Sequence, residues 1–204
     1  MSKPSDKLQQ ARSGDGETLA YNVTGNPSAL LRFALTHSLA LDHDFWAPVV
    51  AQLSAALGQE AAILTWDCRG HGQSSKPRQA YTVEQFAGDL ADLLDHLKWP
   101  DAILAGASMG GCISLAFAGL YPQRTKGLGL FDTTAWYGAD APKQWAERAD
   151  KALSDGLTAL VGFQKIRWFG DDFRDNHADV VDQCLDVFLR NDLEAYAASC
   201  RMLG

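Results

Sequence analysis

Residues Asp101–Tyr121 read DAILAGASMGGCISLAFAGLY, and the fold is decided here. The apolar run Ala102–Ala105 is too short for a helix and is bounded by glycine, so it predicts a buried strand. Gly106-Ala107-Ser108-Met109-Gly110-Gly111 follows. The uncharged run Cys112–Leu120 then predicts a buried helix that stops at Tyr121-Pro122. Strand, Gly-x-Ser-x-Gly, helix is the pattern of a nucleophile elbow. A serine hydroxyl attacks an acyl carbon only if it is exposed, held at a tight turn and served by a base. Gly106 and Gly110 would remove the side chains that clash in such a turn. The start of the next helix offers free N–H groups, of which Met109 is a natural oxyanion donor. A phosphate-binding loop fits less well, because no Gly-Lys-Ser/Thr follows.

Working outward, short apolar segments alternate with helical ones. Gln9–Arg12 and Thr18–Thr24 flank the turn Ser13–Glu17 and predict a hairpin, after a polar, loose lead-in over residues 1–8. Leu30–Thr36, Ala61–Trp66 and Gly127–Phe131 predict further strands. His43–Leu57 predicts an amphipathic helix with Trp46, Val49, Val50, Leu53 and Leu57 on one face and Pro48 in its first turn. Tyr81–Trp99 predicts another, opened by the capping box Thr82…Gln85. This alternation implies an α/β fold, a mostly parallel sheet flanked by helices, with sites where strands end. The loops His37–Asp42, Asp67–Ser75 and Gly106–Gly111 stand at such ends. Beyond Asp132 the strand pattern ceases. Pro142–Leu153, Leu157–Trp168, Asn176–Leu189 and Leu193–Met202 predict helices rich in aromatics. The expected organisation is a core over residues 1–134 and a helical cap over residues 135–204, after the sixth strand.

Composition narrows the function. The chain has 204 residues, 47% of them hydrophobic, enough for one sizeable core. A net charge of −7 argues against nucleic acid and anionic membrane as partners. The N-terminus lacks an apolar signal-peptide core. The uncharged stretch Ala102–Gln123 approaches the length of a membrane span, but its glycines and terminal proline favour strand–turn–helix. Cys68, Cys112, Cys184 and Cys200 are widely spaced. They read as free thiols of a cytoplasmic protein, with no disulfide frame and no metal site. No cofactor is expected.

Four segments together resemble the α/β-hydrolase superfamily, and within it the 3-oxoadipate enol-lactonases. They are His37-Ser38-Leu39 with Asp44-Phe45-Trp46, Asp67-Cys68-Arg69-Gly70-His71-Gly72-Gln73-Ser74, Gly106-Ala107-Ser108-Met109-Gly110-Gly111, and Tyr121-Pro122-Gln123-Arg124. Many relatives have His-Gly where this chain has His37-Ser38. The resemblance implies Ser108 as nucleophile and the Leu39 and Met109 N–H groups as oxyanion hole. His37 would support the oxyanion loop and border the substrate pocket with Trp136. Asp67 and Arg69 would hold their loop, and His71 would move no proton. The implied substrate is a small ester or lactone.

The resemblance also implies two further strands after the cap, carrying the acid and the histidine base, whereas this sequence stops at Gly204. None of its histidines (His37, His43, His71, His96, His177) occupies the base position. Asp132, at the end of a strand, is a substitute acid. The Gly127–Phe131 strand would be left as an exposed edge, inviting self-association or pairing with a missing C-terminal segment. Three functions therefore stand open: a serine hydrolase of small esters or lactones, a noncatalytic binding or interaction module on the same scaffold, and a cofactor-free haloperoxidase or perhydrolase. A dicarboxylate substrate would need a cation, and Arg124, Arg148, Lys165 and Arg167 are available.

Overall fold

In a computed structural model, residues 8–204 are described. The expectation of a loose N-terminus falls on residues 1–7, outside them, but Leu8 is buried. Six strands form one sheet: β1 (Gln9–Arg12), β2 (Thr18–Gly25), β3 (Leu31–Thr36), β4 (Ala61–Trp66), β5 (Ala102–Ala107) and β6 (Thr125–Phe131). Their spatial order is β1-β2-β4-β3-β5-β6. The N-terminal hairpin β1–β2 joins β4 antiparallel, and the remaining pairs are parallel. In register, Thr36 pairs with both Trp66 and Gly106, and Ala107 pairs with Phe131. The last residues of β3, β4, β5 and β6 thus share one edge, and the loops that follow them converge there.

Alternation along the strands builds two apolar layers. Ala34, Leu64, Trp66 and Leu104 face one side, against Phe86, Leu90, Leu93 and Leu94 of α2 (Val83–His96) and Ile113 and Phe117 of α3 (Met109–Leu120). Leu35, Ile63 and Ala107 face the other, with Trp46 and, from α1 (Ala47–Leu57), Val50 and Leu53. The Thr82–Gln85 capping box forms with both hydrogen bonds in place, 3.2 and 3.0 Å. The single helix expected over His43–Leu57 divides into a 3₁₀ turn, His43–Trp46, and α1, with Pro48 in the first turn. Trp46 is buried, Val50 and Leu53 are partly buried against the core, and Val49 is 39% exposed.

Beyond β6 the chain is helical: α4 (Ala141–Asp155), α5 (Val161–Trp168), α6 (Asp171–Asn176), α7 (Ala178–Leu189) and α8 (Leu193–Leu203). The short α6 was not visible in the sequence pattern. These helices own no separate core. Ala149, Ala152, Phe188, Tyr196 and Cys200 belong to the same continuous cluster as Leu64, Trp66 and Leu90. No helix among the described residues is long and apolar enough to cross a membrane.

Strand β6 pairs only with β5, so among the described residues its outer edge is open. Leu128, Leu130 and Phe131 on it are 39%, 41% and 52% exposed. An apolar, unpaired edge is a template for another strand. The 204-residue chain is therefore expected to self-associate with rising concentration, and Leu130→Lys to reduce this. Sedimentation velocity checks it; a single monomer species at all concentrations would contradict the expectation.

Candidate active site

The turn between β5 and α3 holds Ser108 at φ 50°, ψ −114°, a left-handed conformation that non-glycine residues rarely adopt. Its backbone is held from several directions. The Ser108 N–H donates to the Phe131 carbonyl at 2.9 Å. The Ser108 carbonyl accepts from Gly111 N–H, Cys112 N–H and the Thr133 hydroxyl, at 2.9, 3.1 and 2.7 Å. Such strain costs on the order of 1–3 kcal/mol and persists only where the surroundings impose it. The two motif glycines explain how they do. A Cβ on Gly106 would stand 2.0 Å from the Gly110 carbonyl oxygen, and one on Gly110 would stand 2.2 Å from that of Thr36. Helix α3 therefore begins directly against the end of β3, where the His37–Asp42 loop departs.

Two N–H groups point to no acceptor. Met109 is the first residue of α3, whose opening N–H groups have no partner within the helix. Among the described residues neither Met109 N–H nor Leu39 N–H donates to any protein atom. Ser38, Leu39, Ala107, Ser108 and Asp132 line one cavity of about 570 Å³, a size typical for a small ligand. Its other walls include Phe45, Tyr137, Trp145, Arg148, Arg167, Trp168 and Cys184. Met109 itself is buried and is not part of the lining.

The structure separates the other expected site residues. His37 is fully buried and does not border the cavity. Its Nε2 accepts from the Cys68 N–H at 3.0 Å, which leaves Nδ1–H to donate to the Ser38 carbonyl at 2.8 Å. Both nitrogens are thus occupied in tying two loops together, and burial lowers its pKa. Trp136 does not border the cavity either; it is 74% exposed beside a shallow cleft near Met202–Gly204. Its neighbour Tyr137 turns inward instead, 3.7 Å from Cys112 Sγ and edge-on to Trp145. Burial raises the Tyr137 pKa, with Cys112 adding and the Ser108 side chain opposing. Asp132 lines the cavity at φ 46°, with its carboxylate unpaired among the described residues.

The Asp67–Ser75 loop is held by charge. Asp67 accepts from His43 N–H and His43 Nδ1–H at 2.8 Å each, and from Gln73 N–H at 2.7 Å. Burial alone would raise its pKa, but His43 outweighs this and lowers it. Burial likewise works against a charged His43, whose pKa is nevertheless raised by Asp67. Arg69 forks onto Asp89 at 2.7 and 2.5 Å and reaches Asp15 at 2.9 Å. His71 donates from Nδ1 to the Arg69 carbonyl at 3.0 Å, and its buried Nε2 has no partner. Its ring lies 5.1 Å from that of His37. Burial, helped by His37, pushes the His71 pKa down to about 3. His96 bonds Tyr21 at 3.1 Å, and His177 packs on Phe173. Among the described residues no histidine borders the cavity.

A strained serine at the carboxyl edge of a sheet of this order, after Gly-x-Ser-x-Gly, places the chain in a family. The sequence profile of the α/β hydrolase fold matches residues 33–191, and the chain belongs to that family. It is similar to 3-oxoadipate enol-lactonase 1 of Acinetobacter baylyi, 30% identical over 93% of this chain and 68% of that protein. It is also similar to enol-lactonase 2 of the same organism, 29% identical over 83% of this chain and 61% of the relative. The chain thus spans about two thirds of the length of these curated relatives. Its structure resembles the crystal structure of the enol-lactonase from Burkholderia xenovorans, with TM-score 0.88 and 35% identity over 96% of this chain and 73% of that one. A thermophilic esterase from Thermogutta terrifontis, solved with malate bound, gives TM-score 0.83 and 28% identity over 97% and 71% of the two chains.

Two outcomes follow from this geometry. Gly110→Ala is expected to lower stability by about 1–3 kcal/mol or more through overpacking. Gly162→Ala, in an exposed helix with open space around it, should be neutral or stabilising by about 0.5–1 kcal/mol; paired denaturant melts check both. Acid sensitivity has opposing contributions. A histidine whose folded pKa is lowered contributes stability that is present above its unfolded value, near 6.5, and lost as pH falls below it. His71 alone should cost about 2 kcal/mol between pH 7.5 and pH 5, and His37 acts in the same direction. His43, Asp42 and Asp89, whose pKa values are raised, the last to about 6, oppose this. In thermal melts across that range, His71→Asn should lose less stability on acidification than the unaltered chain.

Proposed function

We propose that this chain carries the nucleophile and binding pocket of a serine hydrolase of small carboxylic esters or lactones, of the enol-lactonase kind. The observation that carries the reading is Ser108 at φ 50°, on the wall of an apolar cavity beside two unpaired N–H groups. In this mechanism the Ser108 hydroxyl loses its proton to a base as Oγ attacks the carbonyl carbon. The Leu39 and Met109 N–H groups hold the resulting oxyanion, a contribution worth roughly 3–4 kcal/mol per donor where it has been removed elsewhere. Collapse expels the alkoxide or enolate, which in a lactone stays tethered to the acyl group. Water then cleaves the acyl-enzyme by the same steps in reverse order. The relatives named as enol-lactonases support lactones within this class.

The base is the part these residues do not provide. His37 and His43 are committed to structural bonds, and His71 is buried and neutral. The base is therefore a histidine outside these five, brought to the cavity by a further polypeptide segment or partner. Asp132 is the acid available to it. A second reading rests on the same observation: without a base at the cavity, the scaffold binds a small ligand and does not turn it over.

Labelling with a fluorophosphonate, read by intact mass and peptide mapping, tests the choice. Rapid modification confined to Ser108 and abolished in Ser108→Ala is expected of the hydrolase once the segment or partner that carries the base is present, and slow modification without it. A folded protein that stays unmodified with that segment or partner present would leave the binding module as the better account.

A further inference from the structure

The segment after β6 carries a hydroxyl that the proposed chemistry leaves unused. Residues 133–138 leave the sheet edge in a tight turn. The Thr134 hydroxyl donates to the Trp136 carbonyl at 2.9 Å and accepts from the Trp136 N–H at 3.2 Å. Gly138 follows at φ 95°, a conformation that glycine adopts at little cost. The turn sends Trp136 out to solvent and Tyr137 into the wall of the cavity that Ser108 lines.

The Tyr137 ring stands edge-on to Trp145, with centroids 5.5 Å apart. Its hydroxyl has one bonding partner among the described residues, Cys112 Sγ at 3.7 Å. The thiol proton is directed elsewhere, to the Thr134 carbonyl 3.4 Å away. The Tyr137 O–H is therefore the donor in that contact, and a thiol sulfur is a weak acceptor. A strong donor in a half-buried wall with only sulfur to bond is under-satisfied. The neighbouring Ser108 side chain also bears on this hydroxyl, so the phenol stands beside the nucleophile. Burial raises its pKa and keeps its proton in place at neutral pH. Tyr137 is thus a donor at the site and not a base.

Position decides what it donates to. Strand β5 lies between β3 and β6. The unpaired Leu39 and Met109 N–H groups are on the β3 side of Ser108, where α3 starts against Thr36 and His37. Tyr137 follows β6, on the opposite flank, where the Ser108 N–H is tied to Phe131. At a carbon attacked by Ser108, an oxyanion turned toward the two N–H groups directs the departing oxygen away from them, to the Tyr137 side.

We propose that Tyr137 is a catalytic hydrogen-bond donor to the leaving oxygen of the ester or lactone. The inference rests on the proposed function for the attack by Ser108. When the tetrahedral intermediate collapses, the bond from the acyl carbon to that oxygen breaks, and its electron pair stays on the oxygen. Tyr137 keeps its own proton and holds the developing alkoxide or enolate through its O–H. The proton that neutralises the oxygen is the one the histidine base took from Ser108. A hydrogen bond to a charged acceptor is roughly twice as strong as one between neutral groups, so the gain grows as the bond breaks.

Binding of 4-nitrophenolate, an oxygen anion of the leaving-group kind, tests this without turnover. It is titrated into the unaltered chain and into Tyr137→Phe and read by its visible absorbance. The unaltered chain should bind it with a blue shift, because a hydrogen bond localises charge on its oxygen. Tyr137→Phe should weaken binding about tenfold or more and shrink that shift. Nitrobenzene, which has the ring and no phenolic oxygen, should bind both proteins alike, read by quenching of tryptophan fluorescence. Absence of saturable 4-nitrophenolate binding, equal affinity in Tyr137→Phe, or a parallel loss of nitrobenzene binding overturns the inference. The acyl-enzyme reading fails separately, as a Ser108 that stays unlabelled while Tyr137 still holds the phenolate.

Discussion

The whole site depends on one close approach, the start of α3 against the carbonyls that end β3. Backbone meets backbone at Gly110, with no room for a methyl group. This contact fixes the elbow from one side, and the hydrogen bond from Ser108 N–H to Phe131 fixes it from the other. The serine is left with an over-determined backbone and a free side chain. The same contact brings the His37–Asp42 loop beside the helix start, so Leu39 and Met109 can present their N–H groups to one cavity region. In the proposed acyl transfer such preorganised donors would need no rearrangement as charge develops.

Around this apolar construction the protein buries a set of ionisable groups. Arg69, Asp89, Asp67, His37 and His71 are all nearly inaccessible. Buried ion pairs are weak sources of net stability, because desolvation consumes most of the attraction. Their role here is geometric. Asp67 gathers the Gln73 N–H of its own loop and two N–H groups of His43, while Arg69 pins the same loop to α2. The loop needs many fixed points because it has no regular structure of its own.

Much of this was legible in the chain. The strand–turn–helix around Ser108, the capping box at Thr82 and the three edge loops follow from local spacing and turn chemistry, and each has a local cause. What escaped notice has a long-range cause. Trp136 and Tyr137 are adjacent aromatics, and only the path of the chain after β6 decides that the tyrosine turns inward. Likewise, four cations were equivalent in sequence until packing placed Arg148 among three rings and tied Arg124 to Asp95. The helices past β6 were expected as a cap on the sheet, and their buried residues continue the sheet's own core. Periodicity reports which face is apolar, not which partner covers it.

That shared core constrains how anything enters the cavity. Swinging the helical region outward as a rigid body would expose Phe188, Tyr196, Ala149 and Ala152 together and break the Asn191 bond to the Ala40 carbonyl. Its free energy would approach that of unfolding the sheet, placing it among the rarest openings. Helix α5 is different. It is two turns long, Gln164 is its one buried side chain, and Phe163 and Ile166 stand half or more exposed. Of the helices in the cavity wall α5 therefore costs least to open locally, and it carries Arg167 and Trp168 of that wall.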